Sequence, residues 1–376
     1  MRARLPLKQY IQSGKLFFRF LFILFVLIVC VFLVLPEMHA IAEDTHKIVI
    51  RPATKENAEE TQDDVSDETE DLDTIAKQGS PYVRTDLPPA DIVDGITDPE
   101  ALKDFSFPEE AKLLRVVFPK IKECDACLVT DGEHSILIDT ATAKMAPDVV
   151  KMIRRQGVTH LDAVYITHPH PDHGGGLGEI LANFTVEKVW TSFSDLITQT
   201  AKDMKAYCEY YNVPLGHYGD GHVFTVGEAY FKTYATDDTI YTINDRSAAY
   251  RMQYGRAIMF FAADLERLSL RRLGNTVDAA ELRMDIIKYP HHGKDPLVRE
   301  FWQPAELRFA IVTSDATMRN GKQDIRDKHW PHAFTWDGEI ELTTDGNTWV
   351  IRRLPHYPDN IEEEGTTQKN LIITQQ

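Results

Sequence analysis

The sequence predicts an α/β fold in which two sheets stack face to face with helices on both outer faces, an αββα sandwich. Three observations carry this. Short apolar, β-branched runs alternate with helix-patterned stretches between residues 113 and 353. The alternation occurs twice, once in each half of that region. Finally, the side chains able to hold metals cluster directly after buried strands, where open α/β sheets place their chemistry.

In the first half, residues 113–118, 126–130 and 135–139 read as successive strands, with Asp131 and Gly132 turning between the last two. Residues 147–155 read as a helix that Gly157 stops. Residues 161–167 (LDAVYIT) form a buried strand, and a helix opens at Leu177 after three glycines. A strand over 186–190 and a helix over 197–211 follow. In the second half, 222–236 reads as a hairpin, 248–253 and 257–262 as strands, and 265–282 as one helix. Residues 284–289, 308–313 and 348–353 supply three more strands.

The flanks differ in texture. The 376 residues carry a net charge of −17, unevenly spread: residues 43–110 hold twenty acidic and six basic side chains. Nearly free of aromatics up to residue 80, that segment cannot bury enough apolar surface to offset chain entropy, and residues 43–110 are expected to be a largely disordered acidic linker. Before it, Arg2, Arg4, Lys8, Lys15 and Arg19 precede the apolar run 20–35, which reaches spanning length if residues 16–18 are included. The basic flank predicts a cytoplasmic N-terminus with the rest of the chain outside. Residues 1–42 are therefore expected to be a signal anchor, or a signal peptide removed at the small residues ending at Ala42. Residues 111–355 form the expected folded domain and 356–376 a polar tail. Four cysteines are too few for a disulfide scaffold. Cys124 and Cys127 are expected in the core, facing opposite ways.

The chemistry begins at residues 167–176 (THPHPDHGGG). His168, His170, Asp172 and His173 form H-x-H-x-D-H, four potential ligands in six positions. In an extended loop His168 and His170 would share a side and grip one ion, leaving Asp172 and His173 to reach a second. Imidazole and carboxylate suit Zn²⁺ first, with Mn²⁺ or Fe as alternatives. The glycines beyond would let the backbone pass close to the ions. A two-ion site needs more ligands. Asp264 ends the buried run 257–262, where a lone carboxylate is costly unless it meets a cation or caps the next helix. His291 and His292 follow the apolar strand before Pro290. Asp264 could bridge both ions while one of these histidines completes the second.

With these residues the region 113–353 resembles the metallo-β-lactamase superfamily, and within it the hydrolase domain of ComEC-like competence proteins. The resemblance rests on His168-x-His170-x-Asp172-His173, supported by residues 136–140 (ILIDT), 244–247 (NDRS), 263–266 (ADLE) and 289–293 (YPHHG), and by Asp125-Ala126. It implies that His168, His170, Asp172, His173, Asp264 and one of His291 and His292 hold two divalent ions, with Asp139 shaping the site from behind. The sequence departs from the family at Ala141 and Ala263, where relatives carry glycine, and at Lys294. It has no clear counterpart of the separate histidine that many β-lactamases place between the two clusters.

The expected chemistry is hydrolysis by a metal-activated water, with Asp172 holding or receiving a proton. The leaving group would be protonated by His329 or by the non-ligand among His291 and His292. The resemblance favours phosphoesters as substrates, either nucleic acid or a cell-wall phosphodiester polymer reached from a membrane tether. Acyl or β-lactam hydrolysis and a non-catalytic metal-bound binding module are the alternatives.

Overall fold

The computed structural model describes residues 83–317 and 320–355. The expected anchor, most of the acidic linker and the polar tail lie outside the described residues. Among those described, no helix is long and apolar enough to cross a membrane.

Two sheets form the frame. In spatial order the first contains Asp91–Asp94, Thr348–Arg353, Ile340–Thr344, Leu114–Phe118, Ala126–Thr130, Ser135–Thr140, Ala163–Ile166, Val189–Thr191 and Leu215–His217. The second contains Val223–Val226, Ala229–Tyr234, Ala249–Tyr254, Ala257–Phe261, Ile286–Lys288, Phe309–Val312 and His332–Phe334. Both sheets change from antiparallel to parallel pairing, the first from Ser135–Thr140 onward and the second from Ala257–Phe261 onward, and the first also carries a parallel edge pair of Asp91–Asp94 with Thr348–Arg353. Parallel neighbours need crossovers, and helices supply them.

Alternation along the strands divides the apolar residues into three layers. Phe118, Val129, Ile138 and Tyr165 of the first sheet meet Phe231, Tyr250, Met259 and Ile286 of the second in a core between the sheets. Val117, Leu128, Leu137 and Val164 face the other way, onto the helices Ala146–Arg155, Leu177–Asn183 and Gln199–Tyr211. Ile258, Phe260, Ile287 and Ala310 face Arg267–Thr276 and Arg299–Ala305. This is the expected αββα sandwich. Cys127 lies in the layer between the sheets and Cys124 in the helix-facing layer, both buried and, like Cys208, free.

Three differences from the sequence reading have physical causes. The domain begins before residue 111: Asp91–Asp94 pairs in parallel with Thr348–Arg353, and Ala90 is buried between the sheets. Aspartates flanking a single Ile-Val pair disguised an edge strand as linker. The stretch 265–282 is two helices, because Val277 is extended and Asp278 caps a new turn by accepting from the Ala280 N–H. The ligand-bearing loop is not extended throughout, since Pro171–Gly174 closes into a helical turn after His170.

Candidate metal centre

The two sheets bring their parallel strands' C-terminal ends to one edge of the sandwich. From the first sheet come Asp139 and the loop after Ile166; from the second, Asp264 after Phe261 and His292 after Lys288. Asp172, His173, Asp264 and His292 each offer a ligand atom, and these atoms all lie within 4.8 Å of one another. Segments about ninety residues apart thus converge.

Asp264 sits at the centre. Its carboxylate is 3.2 Å from His173 Nε2, 3.4 Å from His292 Nε2 and 3.8 Å from His168 Nε2. His168 Nε2 in turn lies 3.0 Å from His170 Nδ1, so the first two histidines do come together. Asp264 is not the cap of the next helix. That role belongs to Asp245, whose Oδ1 accepts from the Glu266 and Ser269 N–H groups at 3.0 Å each.

The histidine pair divides cleanly. His292 is fully buried, and its Nε2 is 3.4 Å from Asp172. His291 stands at the rim, its Nδ1 3.3 Å from Asp295 and 3.6 Å from Glu266, its Nε2 3.9 Å from Asp264. His329 is exposed, just past the helix Asn320–Lys328, and is not among the converging residues. The histidines between the two clusters are elsewhere: His217 is exposed against Thr191, and His222 packs among Trp190, Tyr218 and Phe224.

Behind the ligand candidates stands a layer of carboxylates. Asp139 holds His173 through Nδ1 at 2.7 Å and also accepts from the Thr167 N–H at 2.9 Å and hydroxyl at 2.8 Å. Asp125 does the same for His292 at 3.1 Å, accepts from the Thr313 hydroxyl at 2.6 Å, and pairs with the buried Lys288. Sequence reasoning noted Asp125 only as part of the resemblance and missed Lys288. A buried lysine in the apolar strand Ile286–Lys288 was the available signal, because such an ammonium needs a carboxylate.

The backbone is left-handed at both positions where the resemblance implies glycine. Ala141 (φ 60°) and Ala263 (φ 46°) occupy conformations that favour glycine, as does Asp139 (φ 57°). These kinks turn the chain away from its strand and into the site. Gly176 serves differently from the expected approach to an ion: a Cβ there would lie 2.1 Å from the Thr140 carbonyl oxygen, so glycine seats the ligand loop on the end of Ser135–Thr140.

The electrostatics report a cation-shaped deficit. Four carboxylates gather here, Asp125, Asp139, Asp172 and Asp264, and Lys288 meets two of them, Asp125 and, at 3.9 Å, Asp264. Burial opposes ionisation of Asp264, but His292 and His173 outweigh it and hold the carboxyl well below its usual range. Burial likewise opposes charge on His292, yet Asp264 and Asp125 push its pKa up to about 10. His173 is raised the same way by Asp264 and Asp139. His168 goes down, through burial and the charge of His173, and stays neutral as a ligand must.

His173 Nε2, His292 Nε2 and Asp264 Oδ1 are buried, make no well-aligned hydrogen bond and meet ion-pair partners within this cluster. Two imidazole nitrogens and a carboxylate oxygen turned to one spot are a donor set that fits a divalent cation.

Residues 122–196 match the sequence model of the metallo-beta-lactamase superfamily. No curated protein matches the chain significantly. Among solved structures, the metallo-beta-lactamase fold protein YhfI from Bacillus subtilis is 11% identical, aligning 59% of this chain with 96% of its own at a TM-score of 0.41. The metallo-beta-lactamase SMB-1 is 18% identical over 48% of this chain and 81% of its own, with a TM-score of 0.34. MEM-A1, a subclass B3 metallo-beta-lactamase from a soil metagenome library, is 17% identical over 47% and 80%, also at 0.34. Similarities this distant carry no chemistry across, so the reaction has to be argued from this chain's own residues.

Proposed function

We propose that this chain is a metal-dependent hydrolase of the metallo-beta-lactamase superfamily, acting on phosphoesters and close in kind to the hydrolase domain of ComEC-like competence proteins. The observation that carries the metal-dependent part is the convergence of the buried His173, His292 and Asp264 with Asp172, whose ligand atoms all lie within 4.8 Å of one another. His168 and His170 would hold one divalent ion and Asp172, His173 and His292 a second, with Asp264 shared between them; zinc suits this set first. When bound, the ions would supply an activated water and positive charge for the oxygen on which negative charge develops.

The remaining work falls to the protein. Asp139 and Asp125 accept from Nδ1 of His173 and His292, which keeps each Nε2 lone pair turned inward. Lys288 neutralises Asp125 and fixes it. Asp172, half-buried beside His292, is positioned to take a proton from the attacking water. His291, held at Nδ1 by Asp295 and Glu266, presents Nε2 at the rim, where it can protonate a leaving group.

The phosphoester assignment rests on the sequence resemblance and on the lack of a further histidine between the clusters at the site. An extracytoplasmic location belongs to the same proposal, through residues 1–42 as anchor or cleaved signal. It leaves nucleic acid and cell-wall phosphodiesters as candidate substrates.

The test pairs metal analysis of the purified full chain with turnover of bis-p-nitrophenyl phosphate and nitrocefin, with and without chelator. Chelator-sensitive diester cleavage is expected. Turnover of nitrocefin alone would replace the reading by acyl hydrolysis, and stoichiometric metal with no turnover of either would leave a binding module.

A further inference from the structure

Beside His168 lies a small cavity of about 80 Å³, bordered also by Pro169, Ser192, Thr236, Ile243 and Arg246. Whole-ligand pockets run to about 300–1,000 Å³, so this one takes a single chemical group. Arg246 is the cation that borders it. Its Nε is buried and has no acceptor. Asp195 and Asp237 also border the cavity, but both are exposed and neither pairs with Arg246 among the described residues. Buried guanidinium nitrogens are normally paired, so one without an acceptor beside a cavity leaves room for an anion.

The backbone around Arg246 is fixed from both sides. Ala248 N–H donates to the Thr167 carbonyl at 3.0 Å, tying the segment to the ligand loop. Asp245 ties it to the helix after Asp264. Asn244 Nδ2 donates to Glu266 at 2.9 Å and lies 3.4 Å from His291 Nε2. The backbone at Arg246 is thus fixed, its side chain lines the same cavity as His168, and its planar fork suits phosphate oxygens.

We propose that Arg246 binds a phosphate group of the substrate in this cavity, next to the scissile ester. The substrate class this implies is a phosphodiester chain, with one phosphate reacting and its neighbour held by the guanidinium. The inference rests on the hydrolase reading and sharpens it.

The test uses the full chain loaded with Zn²⁺, inorganic phosphate as probe, and the variants Arg246→Gln and Arg246→Lys. Phosphate affinity, read by thermal shift and by inhibition of bis-p-nitrophenyl phosphate cleavage, should fall about tenfold or more in Arg246→Gln and less in Arg246→Lys. Metal content should be equal in all three. KM for a 5′-phosphorylated dinucleotide, which carries a second phosphate beside its diester, should rise while kcat stays within about threefold, and bis-p-nitrophenyl phosphate, with no second phosphate, should keep its KM. Equal phosphate affinity in wild type and Arg246→Gln would overturn the role of Arg246 and leave the hydrolase reading standing. Arg246-dependent phosphate binding without cleavage of any ester would do the reverse. If Arg246→Gln does not fold, Arg246→Lys decides, since wild-type affinity there would exclude a fork-specific contact.

Discussion

The two histidine pairs at the centre are built differently. His173 and His292 are wholly buried, and each has a carboxylate behind its Nδ1, Asp139 and Asp125. His168 and His170 have none. His168 Nδ1 meets the Thr167 hydroxyl at 3.2 Å, its Nε2 faces His170, and His170 is half-exposed. Were ions to bind, the inner pair would already be oriented, whereas the outer pair would have to exchange its mutual hydrogen bond for coordination. Preorganisation lowers the cost of binding, so the inner position should fill first and more tightly.

Asp264 belongs to both halves, and Asp264→Asn should break them together. Turnover should fall by more than about a hundredfold, beyond the loss typical of a residue behind the ligands. Retention of wild-type kcat/KM on a diester substrate would remove Asp264 from the centre.

Asp125→Asn should separate the halves instead. It releases His292 and strands Lys288, and should weaken the tighter ion by about ten- to a hundredfold while sparing the weaker one. Calorimetric titration distinguishes the two. An equal loss at both positions would show that the inner half has no separate second layer.

The raised inner histidines also predict opposite pH trends. A folded-state pKa above the unfolded one stabilises below the unfolded value and loses that stabilisation as pH rises through the folded value. For His292 the window runs from about 6.5 to about 10, so the metal-free protein should lose thermal stability across it. Metal affinity should rise over the same window as protons leave the rings. Melting curves with and without Zn²⁺ should diverge as pH increases, and parallel curves would argue against proton–metal competition.

The smallest expected effect is structural. Ala263→Gly relieves a left-handed alanine, which costs about 1–2 kcal/mol, and gives back part of that through a freer unfolded chain. A net gain of about 1 kcal/mol or less should appear in the denaturant midpoint. A lower midpoint would mean that the Ala263 methyl packs well enough to outweigh the strain.

The sequence carried the frame because burial periodicity is local. A run such as residues 257–262 is apolar at every position only if both of its faces are covered. It also carried the ligand loop, since H-x-H-x-D-H is contiguous. The choice between His291 and His292 was not legible, because adjacent residues differ only in direction, which two consecutive left-handed conformations set here. Asp125 and Lys288 were equally hidden: 163 positions apart in sequence, they meet only when the sheets stack. The missed edge strand Asp91–Asp94 gains its meaning from a partner near residue 350.

Titration of the metal-free full chain with Zn²⁺, followed by calorimetry, tests the central claim most directly. Two ions per chain are expected, a tight step then a weaker one, both severely reduced in Asp264→Asn. A single weak step that Asp264→Asn leaves unchanged would mean that the buried carboxylate and its histidines hold no metal.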